Sequence, residues 1–298
     1  MTDLVIETKD LRKSYGAVEA VRGLDLRIPR GVICGFLGRN GAGKTTTMKM
    51  LLGLTRRTAG IARVFDLDVE APRSGTAIRG RTAFVSDEKD LYDGMTVAEI
   101  TRFTASFFPG WRRDLEDLYV SRFGLPPERR VKTLSRGMRT KLAVLLALCR
   151  RAELLVLDEP TGGLDPAATE QVLQAIVSQV AADGTTVFFS SHQIAEVEQI
   201  ADEIVIIDQG RAIVSGSLDV LAGEFRRVHL VFEGDAPSHV FATPGIRRVH
   251  RNGRVVSIIT SGATDLVIDE AQALGPAAVD VTPVTLKEIF LESVATED

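Results

Sequence analysis

The sequence predicts an α/β protein: a mixed-sheet core with a β-rich N-terminal edge and a helical insertion, followed by a small C-terminal α/β appendix. Three observations carry that prediction. From Glu153 onward, strand-like and helix-like stretches alternate at 154–157, 166–180, 185–189 and 192–200, the pattern of βαβ units around a parallel sheet. A short apolar run at 32–37 passes through a glycine-rich turn into a helical stretch at 45–52, which Gly53 closes. The opening instead reads as strands at 4–7, 17–21 and 24–28, broken by Gly16, Gly23 and Pro29.

Between these segments, residues 95–150 read as mostly helical. Phe103, Phe107, Phe108 and Trp111 crowd one stretch there and read as core, with an apolar surface for a partner as the alternative. A hairpin at 204–207 and 211–214 turns at Asp208-Gln209-Gly210, and a short helix ends near Gly223. Beyond it the texture changes. Two short strands flank Arg251-Asn252-Gly253-Arg254, where the Asn-Gly pair suits a type I′ turn. A helix at 265–274, a strand at 278–281 and a helix at 286–294 complete the appendix. The boundaries that follow are a main domain at 1–223, with its insertion at about 95–150, and an appendix at 224–298.

Composition removes several function classes. A net charge of -4, from 36 basic against 40 acidic residues, gives no global attraction to nucleic acid or an anionic membrane. The longest strictly apolar run, 142–148, is far short of the roughly 18–20 residues of a membrane-spanning helix. The first ten residues carry charges where a secretory signal needs an apolar core, so the expected compartment is the cytoplasm. Cys34 and Cys149 each sit in apolar surroundings without metal-ligand spacing and read as small buried hydrophobes.

The chemistry is carried by two segments. Gly38-Arg39-Asn40-Gly41-Ala42-Gly43-Lys44-Thr45, followed by Thr46, fits the phosphate-binding loop G-x-x-x-x-G-K-[ST]. Its glycines let successive backbone N–H groups turn inward around phosphate oxygens, and the following helix adds its positive end. Lys44 reaches the β and γ phosphates, and the Thr45 hydroxyl can ligate Mg2+. The second segment is Leu154-Leu155-Val156-Leu157-Asp158-Glu159. A strand apolar on both faces belongs in a sheet interior, so Asp158 emerges at its C-terminal edge, where it can join the Mg2+ shell. Glu159, the next residue, is the candidate to orient or deprotonate an attacking water.

The long separation of Lys44 from Asp158 leaves room for an inserted subdomain, which contains Leu134-Ser135-Arg136-Gly137-Met138 before a helical run. This order of motifs resembles the nucleotide-binding subunit of an ATP-binding cassette (ABC) transporter over residues 4–223. The resemblance implies that Ser135 and Gly137 match a Leu-Ser-Gly-Gly-Gln signature, which completes the ATP pocket of a partner subunit. Arg136 and Met138 depart from that signature. Gly163-Leu164-Asp165 is similar to the loop that crosses the dimer interface, His192 to the switch histidine at the γ phosphate, and Tyr15 to the aromatic that stacks on adenine. Asp87 falls where the family's lid loop has a glutamine; it can meet Mg2+ or water but cannot donate an amide hydrogen bond.

What the resemblance implies is an ATPase, with ATP and Mg2+ as cofactors, that drives a separate transmembrane permease at the cytoplasmic face and pairs with a second nucleotide-binding subunit. Leu134-Ser135-Arg136-Gly137-Met138, Leu91-Tyr92 and the 286–291 segment resemble bacterial exporters of drugs, antibiotics or lipid-like compounds. Two readings compete with this one. A soluble ABC-type ATPase acting on nucleic acid or ribosomes would usually carry two cassettes or a coiled coil and a basic surface, and none of these is visible. A regulator that binds nucleotide without turnover fits the Arg136 and Asp87 departures but not Glu159.

Overall fold

The computed structural model describes residues 3–294. Strand β1 (Leu4–Tyr15) turns at Gly16 into its antiparallel neighbour β2 (Val18–Pro29). The two short strands expected at 17–21 and 24–28 are therefore one. Their apolar positions Val21, Leu24, Leu26 and Ile28 are all buried, although the first pair is three residues apart. The pairing jumps from Arg12↔Arg22 to Leu11↔Leu24, so Gly23 is the extra residue of a bulge that returns the side chains to one face.

Next comes β3 (Ile33–Gly38), buried along its whole length, and then the glycine-rich turn into α1 (Lys44–Leu51). Gly53, at φ +66, follows that helix as expected. Strand β4 (Ala59–Val64) pairs antiparallel with β1, and β5 (Leu67–Asp68) adds an edge. Helix α2 (Ser74–Arg81) leads to β6 (Thr82–Val85). The insertion consists of α3 (Val97–Ala105), α4 (Arg113–Arg122) and α5 (Arg136–Leu148). Thr96 and Glu99 close a capping box at the start of α3, and the Ser135 hydroxyl caps α5 by accepting from the Met138 N–H.

The chain then alternates through β7 (Leu154–Asp158), α6 (Pro166–Asp183), β8 (Thr186–Ser191), α7 (Ile194–Ile200), β9 (Glu203–Asp208) and β10 (Arg211–Ser217). These strands, with β3 and β6, form a six-stranded sheet of order β10-β9-β3-β8-β7-β6. The pairs β3/β8, β3/β9, β7/β8 and β6/β7 are parallel. The N-terminal strands form a separate four-stranded sheet, β2-β1-β4-β5. Residues from both sheets, among them Leu11, Leu26, Phe36, Val156 and Phe188, share one buried cluster with Met48 of α1. Cys34 and Cys149 are buried free thiols, and desolvation pushes the Cys149 thiol up to about 12.

The four aromatics at 103–111 do not form core. Phe103 and Phe107 are exposed and stack edge to face, and Tyr92 stacks on Phe103 in the same way. Phe108 carries the Arg150 guanidinium on its ring, while the Trp111 Nε1–H donates to Glu116. Sequence periodicity could not tell a packed aromatic stretch from an unpartnered one. Among the described residues no helix is long and apolar enough to cross a membrane.

By contact the chain divides into two compact units, residues 1–215 and 216–298. The second contains α8 (Leu218–Glu224), β11 (Phe225–Val231), β12 (Ile246–Asn252), β13 (Val255–Ser261), α9 (Thr264–Gln272), β14 (Ala278–Pro283) and α10 (Leu286–Val294). Its sheet is antiparallel, of order β12-β13-β11-β14, with Val228, Leu230, Val256, Ile258, Val267 and Ala271 in the core. Strand β11 was not legible beforehand. The turn also differs from expectation: Asn252 is still paired, with Val255, and positive φ falls on Gly253 alone, the type II′ pattern.

Glu270 organises the loop of this unit. It accepts from the Thr243 hydroxyl, His239 Nε2 and the backbone N–H groups of Ala242 and Thr243, and these bonds hold its carboxyl at about 2. A depressed carboxyl pKa stabilises the fold above the ordinary carboxylate value, and that contribution disappears as pH falls toward the folded-state value. Glu270→Gln should therefore lower stability by about 1–2 kcal/mol at pH 7. Urea unfolding of both chains at pH 7 and near pH 2 should show that deficit closing in acid.

Candidate active site

Three parallel strands deliver the polar groups to one edge. Strand β8 lies between β3 and β7, and Ser190 pairs in register with Phe36 on one side and Asp158 on the other. The sequence distance between the two predicted motifs thus collapses to the width of a single intervening strand. Thr45 Oγ1 donates to Asp158 Oδ2 at 2.6 Å, and Ser190 Oγ donates to Asp158 Oδ1 at 2.6 Å. Asp158 is itself buried.

The loop before α1 takes its shape from glycines. Gly43 has φ +106, and a Cβ on it would lie 2.5 Å from the Ala20 carbonyl oxygen. A Cβ on Gly38 would lie 2.5 Å from the Ile207 carbonyl oxygen. Lys44 folds back over this loop, donating to the carbonyls of Gly38 (2.8 Å) and Arg39 (3.4 Å). Burial pushes the Lys44 ammonium below its ordinary pKa, while the charges of Glu159, Asp158 and Asp87 oppose that shift.

Asn40, Gly41, Gly43, Lys44, Thr45, Thr46, Asp87, Asp158 and Glu159 line a cavity of about 220 Å³. Asp87 is thus brought to the same place as the two motifs. A cavity of that size is smaller than the roughly 300–1,000 Å³ typical of pockets enclosing a whole small ligand. It suits the phosphate end of a nucleotide. Ala42 is buried beneath the loop, and its carbonyl accepts from the Gly210 N–H.

Glu159 is held from several sides. Its N–H donates to Ser190 Oγ (3.0 Å), and its carboxylate Oε2 lies 2.7 Å from His192 Nδ1. Its backbone is left-handed, with φ +50. The predicted pair Glu159 and His192 is therefore in direct contact. Tyr15 is exposed at the end of β1, with Lys13 Nζ 4.6 Å from its ring centroid, and does not line the phosphate cavity.

Ser135, Gly137 and Asp165 stand apart from this cavity. They line another of about 410 Å³, together with Arg136, Met138 and Gly163. Asp165 also caps α6, its side chain accepting from the Ala168 N–H. A larger cavity, about 510 Å³ in the second unit, is lined by Arg227, His229, Arg248 and His250. Both arginines are already in ion pairs, with Glu288 and Glu292.

Sequence reasoning missed three participants. Ser190 was visible as a hydroxyl at the polar end of an otherwise apolar strand. Glu196 is buried and accepts from Thr161 and Ser191 at 2.7 Å each, tying the loop after β7 to the end of β8. Lys89 is buried against the carbonyls of Asp87, Asp158 and Glu159. A lysine in the polar run Asp87-Glu88-Lys89-Asp90 carries no local signal of burial.

Residues 21–162 match the family model described as ABC transporter. A full-length likeness decides the matter: the chain is 33% identical over 305 residues to the daunorubicin resistance ATP-binding protein DrrA3 of Streptomyces coeruleorubidus, covering 99% of this chain and 95% of that one. The chain belongs to the ABC transporter family. It is an ABC ATPase. The ABC ATPase is also 35% identical over 225 residues to the bacitracin transport ATP-binding protein BcrA of Bacillus licheniformis, covering 75% and 73% of the two chains. Among solved structures, the ATP-binding subunit of an ABC transporter superposes with a TM-score of 0.67 at 27% identity, covering 74% of this chain and 92% of that one. A dimeric cassette bound to ADP and Pi, at 21% identity and TM-score 0.65, shares the fold; the match covers 72% of this chain and 98% of that one.

The two glycines of the ABC ATPase's phosphate loop with positive φ separate strain from crowding. Gly41, at φ +83, has no atom within 4 Å of an added Cβ, whereas Gly43 has both an unfavourable φ and the Ala20 carbonyl in the way. Gly43→Ala should weaken binding of fluorescent MANT-ATP by more than about tenfold, the equivalent of about 1.4 kcal/mol. Gly41→Ala should cost clearly less in the same titration.

Proposed function

We propose that this ABC ATPase powers a separate membrane permease for export, by closing around ATP with a second nucleotide-binding subunit at the cytoplasmic face. The observation that carries this reading is the division of the site. One cavity holds Lys44, Asp158 and Glu159, and a different one holds Ser135, Gly137 and Asp165. A second copy or a related chain brings its Ser135 half to the Lys44 half, and two ATP molecules lie between them. Ser135 and Gly137 stand at the N-terminal, positive end of α5, the right polarity for a γ phosphate. ATP then supplies contacts that exist only in the closed pair, and hydrolysis removes them.

Within each site the phosphate loop from Gly38 to Thr46 cradles the phosphates, Lys44 pairs with the β and γ groups, and Tyr15 offers its exposed ring to adenine. Thr45, Asp158 and Asp87 offer one hydroxyl and two carboxylates on a phosphate cavity, a donor set of hard oxygens that fits Mg2+ when phosphates and water complete the shell. Mg2+ held there would neutralise phosphate charge. Glu159 takes the proton of the attacking water, and His192 orients its carboxylate through Nδ1 while turning Nε2 toward the γ phosphate. Relatives named for daunorubicin resistance and bacitracin transport support export as the direction. Tyr92, Phe103 and Phe107 form the apolar surface that receives a cytoplasmic helix of the permease.

Two measurements test the reading. Glu159→Gln should bind MANT-ATP as tightly as the parent, lose at least about a hundredfold in hydrolysis, and form an ATP-dependent dimer on size exclusion. Hydrolysis at the parental rate would remove Glu159 as the general base. Phe107→Ser should leave the ATPase rate of the chain unchanged while abolishing co-purification with a membrane protein. If that variant unfolds, the aromatic surface is structural instead.

A further inference from the structure

We infer that Lys89 is a positioning residue for hydrolysis, setting the place of the Glu159 carboxylate by holding the backbone of Asp158 and Glu159 from beneath. The inference rests on the reading of Glu159 as general base and adds to it a residue outside the cavity lining.

The geometry is specific. Lys89 Nζ donates to the Glu159 carbonyl at 2.9 Å, the Asp158 carbonyl at 3.0 Å and the Asp87 carbonyl at 3.3 Å, so its three N–H groups meet three backbone oxygens. The residue is 6% exposed. A buried ammonium is costly, and among the described residues its hydrogen bonds all go to backbone carbonyls; burial lowers its pKa, and the charges of Asp87, Asp158 and Glu159 act against that. An apolar side chain would fill such a place at lower cost if packing were all that was required. A point-like cation with three donors does what no apolar group can, which is to fix two consecutive peptide planes from one side.

Those planes flank the one residue whose orientation hydrolysis depends on. Glu159 adopts φ +50, a conformation that a β-bearing residue keeps only when its surroundings impose it. Its N–H is tied to Ser190 and its carboxylate to His192. Its carbonyl accepts from both the Gly162 N–H, at 3.1 Å, and Lys89. Without the ammonium, the Asp158–Glu159 peptide loses its anchor on the far side from Ser190, and the carboxylate can swing away from the line of attack. Nucleotide affinity stays with Lys44 and the phosphate loop, with which Lys89 makes no hydrogen bond among the described residues. A misplaced base therefore lowers kcat and leaves KM nearly alone, because the lost interaction is made only in the transition state.

The experiment uses the full-length chain and reads steady-state ATP hydrolysis, MANT-ATP binding and thermal midpoint for Lys89→Met, Lys89→Arg and Glu159→Gln. Lys89→Met should lose about 10- to 100-fold in kcat with KM and MANT-ATP affinity within about threefold of the parent. Lys89→Arg, which keeps the charge and donors in a bulkier fork, should recover part of that loss. In a Glu159→Gln background, Lys89→Met should add no further loss, since the base it positions is gone. The inference is overturned by a parental kcat in Lys89→Met, by a fall in nucleotide affinity as large as that in kcat, or by full additivity with Glu159→Gln. If Lys89→Met does not fold, the Lys89→Arg split between kcat and KM carries the same test. Parental hydrolysis in Glu159→Gln would strike at the general-base reading, whereas an inactive Glu159→Gln beside a fully active Lys89→Met would strike at Lys89 alone.

Discussion

The parallel alignment of β3, β8 and β7 is the constraint on which the site depends. All three strands are buried along their whole length, so polar side chains are excluded from their apolar stretches and gather at the C-terminal ends. Asp158, Ser190 and Ser191 are those ends, and the glycine loop continues from the end of β3. Because the register sets Ser190 level with Asp158, one hydroxyl can donate to the Asp158 carboxylate and accept from the Glu159 N–H. A slip of one residue in this sheet would turn every side chain to the opposite face and dissolve the cluster.

Steric demands on the backbone are tight at the same edge. Gly43 must lack a Cβ to pass the Ala20 carbonyl, and Gly38 to pass the Ile207 carbonyl. Glu159 has a Cβ and is held left-handed by contacts on its N–H, its carbonyl and its carboxylate. A left-handed residue that carries a Cβ, as Glu159 does, costs of the order of 1–3 kcal/mol, a cost borne by the surrounding packing. Glu196 extends the network to Thr161 and Ser191, so the loop that follows β7 is fixed to the end of β8, next to His192.

Legibility in the sequence followed the range of the interactions. The phosphate loop, Asp158 and Glu159 could be read because their chemistry is written in contiguous residues bounded by an apolar strand. The alternation of strands and helices after Glu153 was equally local. Lys89 was hidden, since its partners are carbonyls about seventy positions away, at Asp158 and Glu159, and a backbone oxygen has no residue type to announce it. Strand β2 reads as two because Gly23 looks like a break between apolar runs, and only the pairing with β1 identifies it as a bulge. The aromatics at 103–111 failed for the opposite reason: their hydrophobicity was plain, but whether anything within the chain covers them is a tertiary fact.

The departures in the signature segment take on a physical meaning in the same terms. Met138 contributes the N–H that Ser135 caps, a role any residue but proline can fill. Arg136 lies across Gly163: a Cβ on that glycine would come within 2.8 Å of the arginine's Cδ and Nε. Gly163, at φ +81, therefore provides both the turn and the space that the arginine occupies. The cation consequently stands beside the N-terminus of α5, in the cavity that also holds Ser135, Gly137 and Asp165. Three positive sources, the helix end, the guanidinium and Lys141, then line a cavity in which the one carboxylate among the described residues, Asp165, is already engaged in capping α6. That balance favours an anionic occupant of this cavity, and in the proposed closed pair that anion is the triphosphate held by the loop of the other subunit.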